Sequence, residues 1–212
     1  MHAPAHLRGV TERASATALA ATTDEAGTAA AGPDPFLQPQ TSTRNKLARV
    51  LWGVACLLLF RPSPRPMHAW RAFLLRCFGA KLGPHCHIYP GARIWAPWNL
   101  ECAEFAAIAD EAVVYNAAKV FLGSHAIVSQ QAYVCTATHD FDDPAFPMVV
   151  SPISIGGYAW VCARACVLPG VTVGDGAVLG LGAIATKDLE PWHVHAGNPA
   201  RRIKQRRRHT VA

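Results

Sequence analysis

Along the middle of the chain, large aliphatic residues recur at a fixed interval of six. Ile155, Val161, Val167, Val173 and Leu179 form one run, and small residues stand four positions after each, at Ala159, Ala165, Val171, Ala177 and Ala183. The same double register runs through Leu82, Ile88 and Ile94, then Cys102, Ile108 and Val114, then Leu122, Val128 and Val134. Ala92, Ala106, Ala112, Ala126 and Ala132 are the small companions there, and two slips of two residues, at 94–102 and 114–122, separate these runs. Strand side chains alternate between faces, so positions two or four apart point the same way. Each six-residue unit therefore has two inward positions: the large residue fills the centre of a short flat face and the small one fits a cramped corner. Three such faces close a triangular coil, and stacked coils pair as parallel strands about 4.8 Å apart. Residues 82–187, less one loop, supply about five coils.

A helix would show apolar spacings of three and four, which this stretch lacks. Turn formers fall between the units, as in Gly156-Gly157, Pro169-Gly170 and Gly174-Asp175-Gly176. The pattern predicts an all-β fold over 82–200, a parallel β-helix in the form of a hexapeptide-repeat prism. The repeat stops after Val134 and resumes at Ile155, leaving 135–152 as a loop. Upstream the period changes. Residues 67–78 place Trp70, Phe73, Leu74, Cys77 and Phe78 on one helical stripe with Arg71 and Arg76 off it. This makes 44–81 a basic, apolar helical segment, with two readings open: a cap over the bottom coil's exposed strand edges, or a helix lying in a membrane interface.

Composition narrows the class. The longest apolar run, Val50 to Phe60, has eleven residues, against about 20 for a membrane span. Residues 1–43 carry acids among Ala and Thr without an apolar signal-like core, and are expected to be a disordered tail. Seven Cys show no CxxC pair and no zinc spacing, which suits a cytoplasmic protein whose cysteines act as small buried hydrophobes. The net charge of +6 divides into −2 for 1–43, +8 for 44–81, −6 for 82–200 and +6 for the tail 201–212. The segment 44–81 contains no acid. No nucleic-acid motif accompanies the basic flanks, so a phosphorylated cofactor and an anionic membrane surface are the better partners.

The segments PGVTVGDGAV (169–178), TKD (186–188) and AGNPA (196–200) follow in order, preceded by CTATHDFDDPAF (135–146) and the basic helical segment. In these features residues 44–204 resemble the hexapeptide-repeat O-acetyltransferases, and within them the colanic-acid-type exopolysaccharide group. The resemblance implies a left-handed coil, a homotrimer with each site between two subunits, acetyl-CoA as donor, and direct transfer to a sugar or lipid-linked oligosaccharide hydroxyl. It places the catalytic base at His139, in the loop that interrupts the repeat. The chemistry agrees: a sugar hydroxyl is a poor nucleophile, and a histidine with pKa near 6.5 is suited to taking its proton. By the same resemblance Lys187, Arg201 and Lys204 meet the phosphates of CoA, a role for which clustered cations are apt. Trp160 faces the cofactor, with a plain outward aromatic as the alternative. Asn116 matches a substrate-contacting Asn, with a turn residue as the alternative. The thioester oxygen needs a backbone donor, assigned to the N–H of Ala163. Asp140 orients His139, binds sugar hydroxyls, or is a solvated loop charge. Leu181 and Cys162 depart from the small residues usual along the pantetheine groove. Arg206, Arg207 and Arg208 read as a solvated tail.

The pairs His85/His87 and His193/His195 have no third ligand, so no metal is expected. Two other functions remain for the same fold: an O-acetyltransferase of a free small acceptor such as a saccharide or serine, and a non-catalytic β-helix scaffold.

Overall fold

The computed structural model describes residues 42–208. The expected tail 1–43 therefore lies outside the described residues except for its last two. Ser42 caps a helix, its hydroxyl accepting the Asn45 N–H at 3.3 Å.

Among the described residues the repeat builds five full coils. The first holds β1 (Lys81–Leu82), β2 (His87–Ile88) and β3 (Arg93–Ile94). The second holds β4 (Leu100–Cys102), β5 (Ala107–Ile108) and β6 (Val113–Tyr115), and the third β7 (Val120–Leu122), β8 (Ile127–Val128) and β9 (Tyr133–Cys135). A hairpin of β10 (Ala137–His139) and β11 (Met148–Val150) interrupts them. The fourth coil holds β12 (Ile153–Ile155), β13 (Trp160–Val161) and β14 (Cys166–Val167), and the fifth β15 (Thr172–Val173), β16 (Val178–Leu179) and β17 (Ile184–Ala185). A longer strand, β18 (His193–Ala196), begins a sixth coil, and β19 (Arg201–Gln205) folds back antiparallel on it.

Stacking turns these strands into three parallel sheets. Sheet A is β1-β4-β7-β12-β15, sheet B is β2-β5-β8-β13-β16-β18 with β19 at its edge, and sheet C is β3-β6-β9-β14-β17. Every large member of the six-residue series from Ile88 to Leu179 is buried, and so is every small companion. Leu82 alone is half-buried, at the open bottom of the prism.

The corners are as regular as the faces. At the A-to-B corner His85, Phe105, His125 and Tyr158 all take positive φ near 57°. Their rings stack in a column with centroid separations of 5.0, 4.8 and 4.7 Å. Gly176 continues the column because Trp192 lies over it, and a Cβ there would sit 2.5 Å from the indole. The B-to-C corner carries a polar column instead: Gln131 donates to Glu111, and Arg164 donates to Gln131. The two slips fall at the C-to-A corner, where side chains complete the backbone pairing. Asn116 is fully buried, accepting the Ala96 N–H at 2.9 Å and donating to the Ala96 carbonyl at 2.7 Å. Thr136 does similar service one coil above, on Tyr115 and Ala118.

Below the first coil lie α1 (Thr43–Ala55), a π-helical turn (Cys56–Phe60) and α2 (His68–Cys77). Together they close the prism's open edge. Arg76 donates to the carbonyls of Leu82 and Gly83, Arg71 Nε and His68 Nδ1 reach that of Ile88, and Trp52 Nε1 reaches that of Ile94 at 2.7 Å. Burial lowers the His68 pKa, and because a carbonyl only accepts, its Nδ1 carries a proton there. The buried face of α2 differs from the predicted stripe. It is Arg71, Ala72, Leu74 and Leu75, while Phe73 and Cys77 are exposed. Arg71 can be fully buried because Ser63, Pro64 and Arg65 supply three further acceptors for its guanidinium. The basic tail also departs from expectation: 201–205 is strand, and Arg206 is half-buried and donates to the carbonyls of Tyr158 and Gly176. No helix among the described residues is long and apolar enough to cross a membrane.

Candidate active site

His139 is the last residue of β10, on the hairpin that leaves the prism at the C-to-A edge. Its ring lies flat on Phe146 at 4.5 Å between centroids, and its Nδ1 is 2.9 Å from the Phe146 carbonyl. A carbonyl can only accept, so Nδ1 carries the proton and Nε2 keeps its lone pair. An exposed imidazole, fixed in rotation and tautomer, is what a general base requires.

The loop acids shape the turn rather than the imidazole. Asp140 Oδ1 accepts the Asp142 N–H at 3.1 Å, Asp143 Oδ1 accepts the Ala145 N–H at 2.8 Å, and the Asp140 N–H donates to Pro147 at 3.0 Å. The orienting contact to His139 thus comes from a backbone carbonyl seven residues on. Sequence reasoning missed it, since no motif marks which peptide will face the ring.

Three of the predicted cofactor residues, Trp160, Arg201 and Lys204, gather on sheet B. Trp160 pairs with Val178, Val178 with Val194, and Val194 with Lys204, so all four side chains project from one face. In an uninterrupted strand Arg201 and Lys204 would point oppositely. A register shift opposite Val194/His195 leaves Ile203 unpaired and returns Arg201, paired with Ala196, to the same side as Lys204. This bulge had no signal in the sequence. Trp160 is held by a hydrogen bond from Nε1 to Ser129 Oγ at 2.8 Å. Among the described residues Lys187, Arg201 and Lys204 form no ion pair, which leaves their charges for an anion. Lys187 is exposed in the C-to-A connection after β17, away from the other two.

Ala163 lies in the turn after β13; its carbonyl accepts the Gly182 N–H at 3.0 Å, and its own N–H makes no backbone hydrogen bond among the described residues. That N–H is the kind of donor an oxyanion needs. Asn116 takes the turn-residue alternative in the structure. Both sides of its amide pair with Ala96 and its side chain is wholly buried, so its polar atoms serve as a rung of the C-to-A corner. Cys162 is buried and desolvation raises its thiol pKa, which disfavours an acyl-thioester on that sulfur. Among the described residues no group of three or more His, Cys, Asp or Glu is placed to hold a metal.

Comparison with known proteins bears on this geometry. No protein-family model matches the chain. The chain is 38% identical over 162 residues to a protein of Escherichia coli (strain K12) assigned as the colanic acid biosynthesis acetyltransferase WcaF, covering 76% of this chain and 89% of that one. The chain belongs to the colanic-acid-type acetyltransferases. It is therefore an acyltransferase of the hexapeptide-repeat class. Solved structures agree on the fold of this family. A maltose O-acetyltransferase from Clostridium difficile 630 superposes with a TM-score of 0.71 at 24% identity, covering 79% of this chain and 90% of that chain. A hexapeptide-repeat acetyltransferase from Vibrio cholerae, in complex with acetyl-CoA, superposes with a TM-score of 0.71 at 22% identity, covering 80% and 93%. The prism is the left-handed β-helix that the sequence resemblance implied.

Proposed function

We propose that this acetyltransferase moves the acetyl group of acetyl-CoA to a sugar hydroxyl in exopolysaccharide assembly, with His139 as general base. The observation that carries the reading is the Nδ1–H···O=C contact between His139 and Phe146, which leaves Nε2 as the basic nitrogen of the neutral ring at the one long break in the repeat. Nε2 takes the acceptor's hydroxyl proton as that oxygen attacks the thioester carbonyl. The Ala163 N–H steadies the oxyanion, the C–S bond breaks, and the imidazolium returns its proton to the departing sulfur. Lys187, Arg201 and Lys204 hold the phosphates, and Trp160 lies beside the cofactor.

The working unit in this reading is a homotrimer. Its support is positional: the His139 hairpin leaves at the C-to-A edge, whereas Trp160, Arg201 and Lys204 project from sheet B, the face opposite that edge in a three-sided prism. A site containing both then draws on two chains. The protein works in the cytoplasm, peripherally at the inner face of the membrane, through the acid-free segment 44–81. In this reading the acceptor is met as a lipid-linked oligosaccharide. Incubation with acetyl-CoA and a panel of free and lipid-linked sugars, read by product mass, should give a gain of one acetyl group on a sugar. Coenzyme release without an acetylated sugar contradicts the proposal.

A further inference from the structure

A groove of about 520 Å³ lies away from the predicted site residues. Its wall is α1 and the π-helical turn, through Trp52, Gly53, Cys56, Leu57 and Arg61, and its floor is the outer face of sheet C, through Arg93, Ile94, Trp95, Val113 and Tyr115. The lining is apolar and aromatic apart from two arginines, and it includes no acid. A third cation stands at Trp95: the Arg49 guanidinium lies 4.5 Å from that ring, and its buried Nε has no hydrogen-bond partner.

Two further features indicate the occupant. Leu47, Val50, Leu51, Val54, Leu57 and Leu58 recur at spacings of three and four, and all are more than half exposed. They form an apolar stripe on the side of the helix away from Trp52. A groove lined by aromatics and arginines, opening beside an apolar stripe in an acid-free segment, complements a molecule with an apolar chain and an anionic head. The groove also runs toward the proposed base. Tyr115, on its floor, is the strand partner of Cys135, where the His139 hairpin begins.

We infer that this groove binds a phosphate ester of a long apolar chain, with the chain against Trp52, Leu57, Trp95 and Tyr115 and the phosphate between Arg61 and Arg93. The site takes a single lipid phosphate out of the bilayer and holds its head group on sheet C, two strands from β9, which leads into the catalytic loop. This rests on the acetyltransferase reading for its purpose, but binding needs no acetyl-CoA and is measured without it.

Gly53 supplies the main test, because a Cβ built there meets nothing within 4 Å. Gly53→Leu therefore places a side chain into the groove from a Cβ with open space around it, and replaces a helix-weakening residue by a helix former. Full-length protein is titrated by calorimetry with farnesyl phosphate below its aggregation concentration, with farnesol, inorganic phosphate and phosphatidylglycerol vesicles as parallel probes. Expected is saturable binding of one farnesyl phosphate per chain, at least tenfold weaker for farnesol and in Gly53→Leu. The double variant Arg61→Gln/Arg93→Gln, which changes two exposed side chains, should lose at least tenfold for farnesyl phosphate and little for farnesol. Equal binding by wild type and Gly53→Leu, binding to vesicles alone, or no saturable binding overturns the groove. Each of those results leaves acetyl transfer to a soluble sugar, read by product mass, as a separate question.

Discussion

In the coils, every large member of the six-residue series from Ile88 to Leu179 is buried, whereas α1 buries Trp52 and leaves Leu47, Val50, Leu51 and Val54 more than half exposed. The apolar residues of the prism are accounted for by the prism itself. Those on the outer side of α1 find no partner among the described residues. The contrast separates two roles for the same residue types. Inward repeat positions are there for folding, and their loss should appear as instability; the stripe on α1 should affect what the protein touches and leave its stability nearly unchanged.

The largest effect on stability is expected inside a coil. Ile155→Ala removes a fully buried side chain between β7 and β15 and should cost about 2–5 kcal/mol in chemical denaturation. A loss under about 0.5 kcal/mol would mean that the inward series is not the core. A smaller loss is expected at the corner. Asn116→Ala leaves the Ala96 N–H and carbonyl buried without partners, for about 1–3 kcal/mol, while the affinity for a sugar acceptor should be unchanged. If acceptor affinity instead falls and stability holds, the residue belongs to the site after all. The smallest stability effect belongs to Leu51→Ser/Val54→Ser on α1, within about 0.5 kcal/mol as for other surface changes. Sedimentation with anionic vesicles at low salt should nonetheless show weaker binding of that variant. Destabilisation comparable to Ile155→Ala would erase the distinction between the two regions.

The same contrast explains what could be read in the sequence. The prism was legible down to its inward positions because one physical constraint, two inward side chains per six residues, repeats for five coils. The loop was legible as the place where that constraint lapses, and His139 within it through family resemblance. The buried side of α2 was not, because Arg71 enters the interior only where the Ser63–Arg65 turn presents acceptors, a contact no periodicity encodes. Asn116 was left between two readings for a related reason. A polar residue at a slip looks like a substrate contact until its amide is seen to replace a missing backbone rung. The common side of Arg201 and Lys204 depends on a bulge at Ile203, and alternation alone predicts the reverse.

The claim on which the function rests is that His139 removes the acceptor proton. Its hairpin lies outside the packed coils, so His139→Ala should leave the melting temperature and the affinity for acetyl-CoA unchanged. Removing a general base costs about 10²–10⁴ in rate, or about 3–5 kcal/mol of transition-state stabilisation. Single-turnover kinetics with saturating acetyl-CoA and acceptor, which isolate the chemical step, measure this directly. The rate should fall at least a hundredfold; a variant that retains more than a tenth of the wild-type rate contradicts a general-base role for His139.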